Sequence, residues 1–203
     1  MSQESNSVND SQILAQLIPA GRDEVFDRIA AGLYSLASML VGEGEDGVRL
    51  VETAVANSED SVCHDPAEAR MSSRRMMCVA ALDILSRRDP GSLAAPEGVK
   101  PAETCIEDDD LAAAGVSGDE LERMIAGPDR DRMRKWLAGL PTALRTIFVL
   151  RAVAGFTSAE SAVLLTKHGG ARAAGWTPAA VGEVFRQGLC SLASQLIQAS
   201  SVR

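Results

Sequence analysis

Apolar residues recur at helical spacing along most of the chain. From Asp23 the positions Phe26, Ile29, Ala30, Leu33, Leu36, Ala37 and Leu40 fall on one face of a helix, because a residue turns about 100° and i, i+3, i+4 and i+7 line up. "GEGEDG" ends that helix, and Leu50, Val51, Ala54 and Val55 mark a shorter second one. A third runs from about Pro66 to Arg88 with Val79, Leu82 and Leu85 facing inward, and Met71, Met76 and Met77 are expected to fill core gaps. Further helical patterns cover about 129–139, 142–154, 158–167 and 178–198. No internal repeat and no convincing two-residue alternation interrupts them. The fold class expected is all-α.

The punctuation divides these helices. Ser117 with Glu120 and Thr157 with Glu160 are capping-box pairs, in which a hydroxyl and a carboxylate satisfy the first free N–H groups of a helix. Thr177 before Pro178 reads as an N-cap with proline at the first helical position. "RDPGSLAAPEGVKPAETCIEDDD" holds three prolines, two glycines and a closing acidic run, the composition of a linker. Four segments are expected: a flexible N-terminus over 1–20, a helical domain over 21–88, an acidic proline-containing linker over 89–110, and a second helical domain over 111–203. Two small helical domains joined by a linker follow from periodicity and punctuation alone.

Composition narrows the function classes. Hydrophobic residues make up 46% and aromatics 3%, enough for a core built chiefly from Ala, Leu, Val and Met. The start, "MSQESNSVNDSQ", has no basic segment with an apolar stretch behind it, and no run approaches a membrane span. Cys63, Cys78, Cys105 and Cys190 are scattered with no CxxC pair, which favours a reducing, cytoplasmic setting over a disulfide framework or a zinc site. The formal charge of −8 argues against indiscriminate nucleic-acid binding. It is unevenly spread. From Glu97 to Asp110 there are six acids and one base, whereas between Arg70 and Arg88 five arginines (Arg70, Arg74, Arg75, Arg87, Arg88) face one acid, Asp83. From Asp129 to Arg151 six basic residues face two acids. Such stretches read as solvated helix faces or as phosphate tracks.

"LPTALRTIFVLRAVAGFTSAESAVLL" closely resembles the C-terminal promoter-reading domain, region four, of the extracytoplasmic-function (ECF) sigma factors of bacterial RNA polymerase. The matching residues are Leu140, Pro141, Phe148, Leu150, Arg151, Gly155, Phe156 and Thr157. "LYSLASMLVGEGEDGVRLVETAV" and "MMCVAALDILSRR" resemble the helices of region two of the same family. The resemblance implies a non-catalytic transcription initiation protein with a helix-turn-helix-type second domain, with no cofactor and no metal. Its partners are core RNA polymerase, promoter DNA and, on the alternative reading, an anti-sigma factor. It also implies DNA contacts from Arg70, Arg74, Arg75, Arg87, Arg88, Arg151, Thr177 and Arg186, and polymerase contacts from Asp46, Leu50, Val51 and Glu52.

The departures point to weakened DNA reading. In the final helix Gly182, Val184, Gln187 and Ser191 occupy positions usually basic in the family, and Glu183 offsets Arg186, the one base left there. Each basic side chain missing from such a helix takes with it a share of counterion release and hence of affinity. The turn before that helix, Lys167 to Trp176, has ten residues where a helix-turn-helix uses three or four, and its glycine-rich "HGGARAAG" reads as a flexible insertion. The second helix carries Val48 and Arg49 where the family is acidic and polar, and no aromatic lies between Ala67 and Leu85 to capture a flipped base. Cys63, His64 and Asp65 are adjacent and cannot converge on one ion without other ligands. His168 has no evident orienting partner, so no nucleophile–base pair is expected. Two readings remain: a diverged sigma factor that still binds polymerase and promoter, and a sigma-like module that binds a protein partner without promoter recognition.

Overall fold

The computed structural model describes residues 22–56, 66–97 and 130–201. These form helices α1 (Arg22–Val41), α2 (Glu45–Ala56), α3 (Pro66–Arg88), α4 (Arg130–Gly139), α5 (Thr142–Phe148), α6 (Ser158–His168) and α7 (Pro178–Ser201). A π-helical turn, Val149–Val153, continues α5, and a 3-10 turn, Ala171–Ala173, lies between α6 and α7. The protein is all-α, as its periodicity implies, and the described residues hold no strand. The pair Ser117 and Glu120, the first 20 residues and positions 98–110 of the expected linker lie outside the described residues.

Each stripe of apolar residues finds a partner. Leu33, Leu36, Ala37 and Leu40 of α1 are buried against α2 and α3, which bring Leu50, Ala54, Leu82 and Leu85. The inward positions expected at Phe26, Ile29, Ala30 and Val55 lie outside the described side chains. Of the three methionines expected in the core, Met77 is fully buried, but Met71 is 41% exposed, since six residues of α3 carry it to another face. In the second group α7 packs along α5 and α6 through Val181, Phe185 and Leu189. Phe148 stands at its centre, edge-on to Trp136 at 5.0 Å between ring centroids and tilted against Phe185 at 5.7 Å.

The two groups share one continuous core. α3 packs against α6, and α1 against both α4 and the π turn. The first stretch of the expected linker belongs to this body: after α3 the chain turns at Pro90–Leu93 and buries Leu93. There the Trp176 indole Nε1–H donates to the Leu93 carbonyl at 2.9 Å, and Ala95 N–H donates to the Arg172 carbonyl at 3.1 Å. Proline and glycine mark a turn, but whether the turn then packs depends on a distant apolar surface that local composition does not register.

The connection between α6 and α7 is likewise anchored. Its sequence reads as a flexible insertion, yet Ala173 and Trp176 are buried within it. Gly170 supplies a φ of 83°, and a Cβ on Gly169 would stand 2.6 Å from both Ala173 Cβ and the Leu165 carbonyl oxygen. Glycine is therefore required by shape here, rather than as a source of looseness.

The cysteines depart from expectation as well. Cys78 is free and buried, but Cys190 is disulfide-bonded. The absence of a CxxC pair excludes only a local bridge, because pairing depends on Cα separation in space. Among the described residues no helix is long and apolar enough to cross a membrane.

Two kinds of substitution test this packing. Leu36→Ala and Leu150→Ala each empty a fully enclosed site and are expected to cost about 2–5 kcal/mol in denaturant unfolding. Trp176→Phe keeps an aromatic ring but leaves the Leu93 carbonyl buried without its donor, and is expected to cost about 1–3 kcal/mol. An unchanged unfolding midpoint in all three variants would refute the assigned core.

Candidate nucleic-acid interface

The residues expected to meet DNA fall on α3, the π turn and the start of α7. Arg70 stands exposed on α3 and Arg74 is half-buried one turn later. Arg75, on the same helix, is turned toward α6: its Nη2 donates to Glu160 Oε1 at 3.2 Å, and its guanidinium carbon lies 5.4 Å from the centre of the Phe156 ring. Arg87 donates from Nε to the Asp83 carbonyl at 3.0 Å. Arg88 donates from Nη1 to the Val41 carbonyl at 2.8 Å and from Nη2 to Asp46.

The second group has the same character. The wider π turn carries Arg151 beneath the chain's return, where Nη1 donates to the Phe156 carbonyl at 2.8 Å and the guanidinium lies 5.0 Å from the Phe185 ring centre. Arg186 donates to Glu183 at 2.6 Å, and Glu183 itself is buried. Thr177 acts as the expected cap, its Oγ1 accepting from Ala180 N–H at 3.1 Å. Arg75, Arg87, Arg88, Arg151 and Arg186 thus all donate within the chain. Arginine suits this because its planar fork bonds a carbonyl or carboxylate while its face stacks on a ring.

The expected polymerase residues are also divided. Leu50 is buried in the core and Val51 packs partly against it, while Glu52 is exposed. Asp46 is the carboxylate that holds Arg88. Among these four, Glu52 is fully presented to solvent.

Glu160 is the hinge of this arrangement, and the sequence reveals only its capping role. It completes the capping box with Thr157: Thr157 Oγ1 accepts from Glu160 N–H at 3.2 Å, while Glu160 Oε2 accepts from Thr157 N–H at 2.9 Å and from the Thr157 hydroxyl at 2.8 Å. The Thr157 N–H bond, then the hydroxyl bond, hold the Glu160 carboxyl below its ordinary value, with Arg75 adding to the effect. His168 also has an orienting neighbour that its sequence context conceals: Nδ1 lies 3.5 Å from Asp83 Oδ1, joining α6 to α3. Sequence separation hides both the Arg75–Glu160 and the His168–Asp83 pairs, since neither pair shares an element.

Burial pushes the Cys78 thiol up to about 12, against the opposing pull of Arg74 and Arg75, so it remains a protonated core side chain rather than a nucleophile. No group of three or more His, Cys, Asp or Glu with metal-binding geometry occurs among the described residues; Cys63, His64 and Asp65 lie outside them. Compared with protein-family models, with curated proteins and with solved structures, the chain shows no match.

The depressed Glu160 carboxyl makes part of the stability pH-dependent. Its contribution is present above the ordinary carboxyl value of 4.5 and is lost as pH falls through the lower folded value. Glu160→Gln keeps an acceptor for the Thr157 N–H but loses the charge, so its melting temperature is expected to fall less than the parent's between about pH 5 and pH 3. Thr157→Ala removes the reciprocal cap and is expected to cost about 1 kcal/mol at neutral pH. Parallel pH profiles for the parent and Glu160→Gln would refute the assignment.

Proposed function

We propose that this chain is a sigma-factor-like transcription initiation protein that binds core RNA polymerase and meets promoter DNA weakly. The observation that carries the reading is the helix order around the motif of residues 140–165. α5 and its π turn end at Val153, ahead of Gly155, the Thr157–Glu160 box opens α6, and Thr177–Pro178 opens α7. This supports the two-helix presentation that the resemblance to region four implies. DNA reading is weak on this proposal because Arg186 is paired with Glu183 and nine residues, 169–177, separate α6 from α7. Arg70, exposed on α3, is the phosphate contact that needs no rearrangement.

A second reading, a sigma-like module that binds an anti-sigma factor or another protein without recognising a promoter, is favoured by one specific observation. The basic side chains expected to face DNA at Arg75, Arg88, Arg151 and Arg186 are engaged within the chain.

Capture of core RNA polymerase by the full chain, followed by binding to a pool of promoter fragments, separates the two. Polymerase capture with weak, salt-sensitive DNA retention supports the first reading, and Arg70→Ala is expected to lower the salt slope of duplex binding by about one. Arg186→Ala should change it less. Polymerase capture without DNA retention supports the second, and failure to capture polymerase refutes the first.

A further inference from the structure

Away from the α3 arginines, a half-open cavity of about 310 Å³ lies between the end of α1 and the α4–α5 corner. Met39 and Leu137, both buried, form part of its apolar wall. Arg134, Lys135 and Arg145 line it against the acids Glu43 and Asp131, an excess of one positive charge on a protein whose net charge is −8.

The charges inside are not equally occupied. Arg134 Nη1 donates to Glu43 at 2.8 Å, and Asp131 has its own interaction partner. Neighbouring Arg88 is held by Asp46 and the Val41 carbonyl. Arg145 differs: among the described residues it has neither a carboxylate nor a carbonyl partner, and its Nε is shut off from solvent without an acceptor. Burial, and then the proximity of Arg88, push its pKa below the ordinary arginine value. A cation that is partly desolvated, unpaired and close to a second cation is costly to the fold unless an anion joins it.

We propose that this cavity binds a small oxyanion carrying a short apolar body, a phosphate monoester or a carboxylate, with Arg145 as its anchor and Lys135 at its mouth. Guanidinium donates two parallel bonds to either head group, and the ammonium adds a point charge. The Met39–Leu137 wall takes the apolar body, the usual division of labour in a ligand cleft of this size. The cavity bridges α1 and the α4–α5 corner, so an occupant here stabilises their association by mass action.

Thermal-shift and calorimetric titration of the full chain with phenyl phosphate, benzoate, inorganic phosphate and benzyl alcohol provides the test. Phenyl phosphate or benzoate is expected to bind and raise the melting temperature, the stronger of the two naming the head group. Inorganic phosphate should bind more weakly, and neutral benzyl alcohol weakest of all. Arg145→Gln is expected to lower affinity by about tenfold or more, and Lys135→Ala by a smaller factor. Lys167→Ala, a charge change on the exposed side of α6 away from the cavity, should leave affinity unchanged. The proposal is overturned if neither organic anion binds, if benzyl alcohol binds as well as benzoate, or if Arg145→Gln binds as the parent does. Should Arg145→Gln fail to fold, unchanged anion affinity in Lys135→Ala overturns it.

Discussion

The hydrogen bond from the Trp176 indole to the Leu93 carbonyl closes the structure, because it satisfies two polar groups that packing removes from water. A large indole buried between α6 and α7 supplies apolar area, but its N–H needs an acceptor there. The acceptor comes from the segment leaving α3, and Ala95 repeats the join one step later through the Arg172 carbonyl. The glycines at 169 and 170 follow from the same demand, since the connection must turn sharply to bring Trp176 under Leu93. With aromatics at 3% of the chain, each large ring carries more of the core than it would in an average domain.

Arginine does the remaining fastening. Arg88 ties α3 to the end of α1 and to α2, Arg75 ties α3 to α6, Arg134 ties α4 to the turn after α1, and Arg151 holds the chain's return after the π turn. Stretches that look like basic tracks in one dimension become a set of cross-links in three. Much of the local positive charge is thereby paired, bonded to the backbone or stacked, while Arg70 and Arg145 stay outside these cross-links.

The helices are legible in the sequence because burial on one face imposes a period that needs no knowledge of the partner: the predicted spans for α3, α4 and α6 agree with the structure to within a residue or two. Caps are legible for the same reason, as Thr157 and Glu160 meet within one helical turn. What stays hidden is everything set by approach between distant elements. Leu93 and Trp176 are 83 positions apart, Arg75 and Glu160 are 85, and Arg134 and Glu43 are 91. The pairing of Cys190 belongs to the same class. Of the candidate site, residue identities can be read from charge runs, but their engagement cannot. A free arginine and a clamped one have the same letter.

The clamps differ in strength, and that orders which charges a polyanion can recruit. Arg75 and Glu160 are exposed to 49% and 41%, so their ion pair is worth at most about 1 kcal/mol and weakens with salt. Arg151 is half-buried and bonds a backbone carbonyl while stacked on Phe185; freeing it forfeits a charged hydrogen bond of about 1.5–3 kcal/mol and strands an acceptor. Arg88 gives up both a carbonyl and a carboxylate if it leaves. Arg70 is thus unclamped among the described residues, Arg75 is held by a weak ion pair and by its stacking on Phe156, and Arg88 and Arg151 cannot be freed without loosening the fold. The Arg75–Glu160 pair also spans the contact between α3 and α6, so the charge state of that face and the packing of the two helix groups are set by the same side chains.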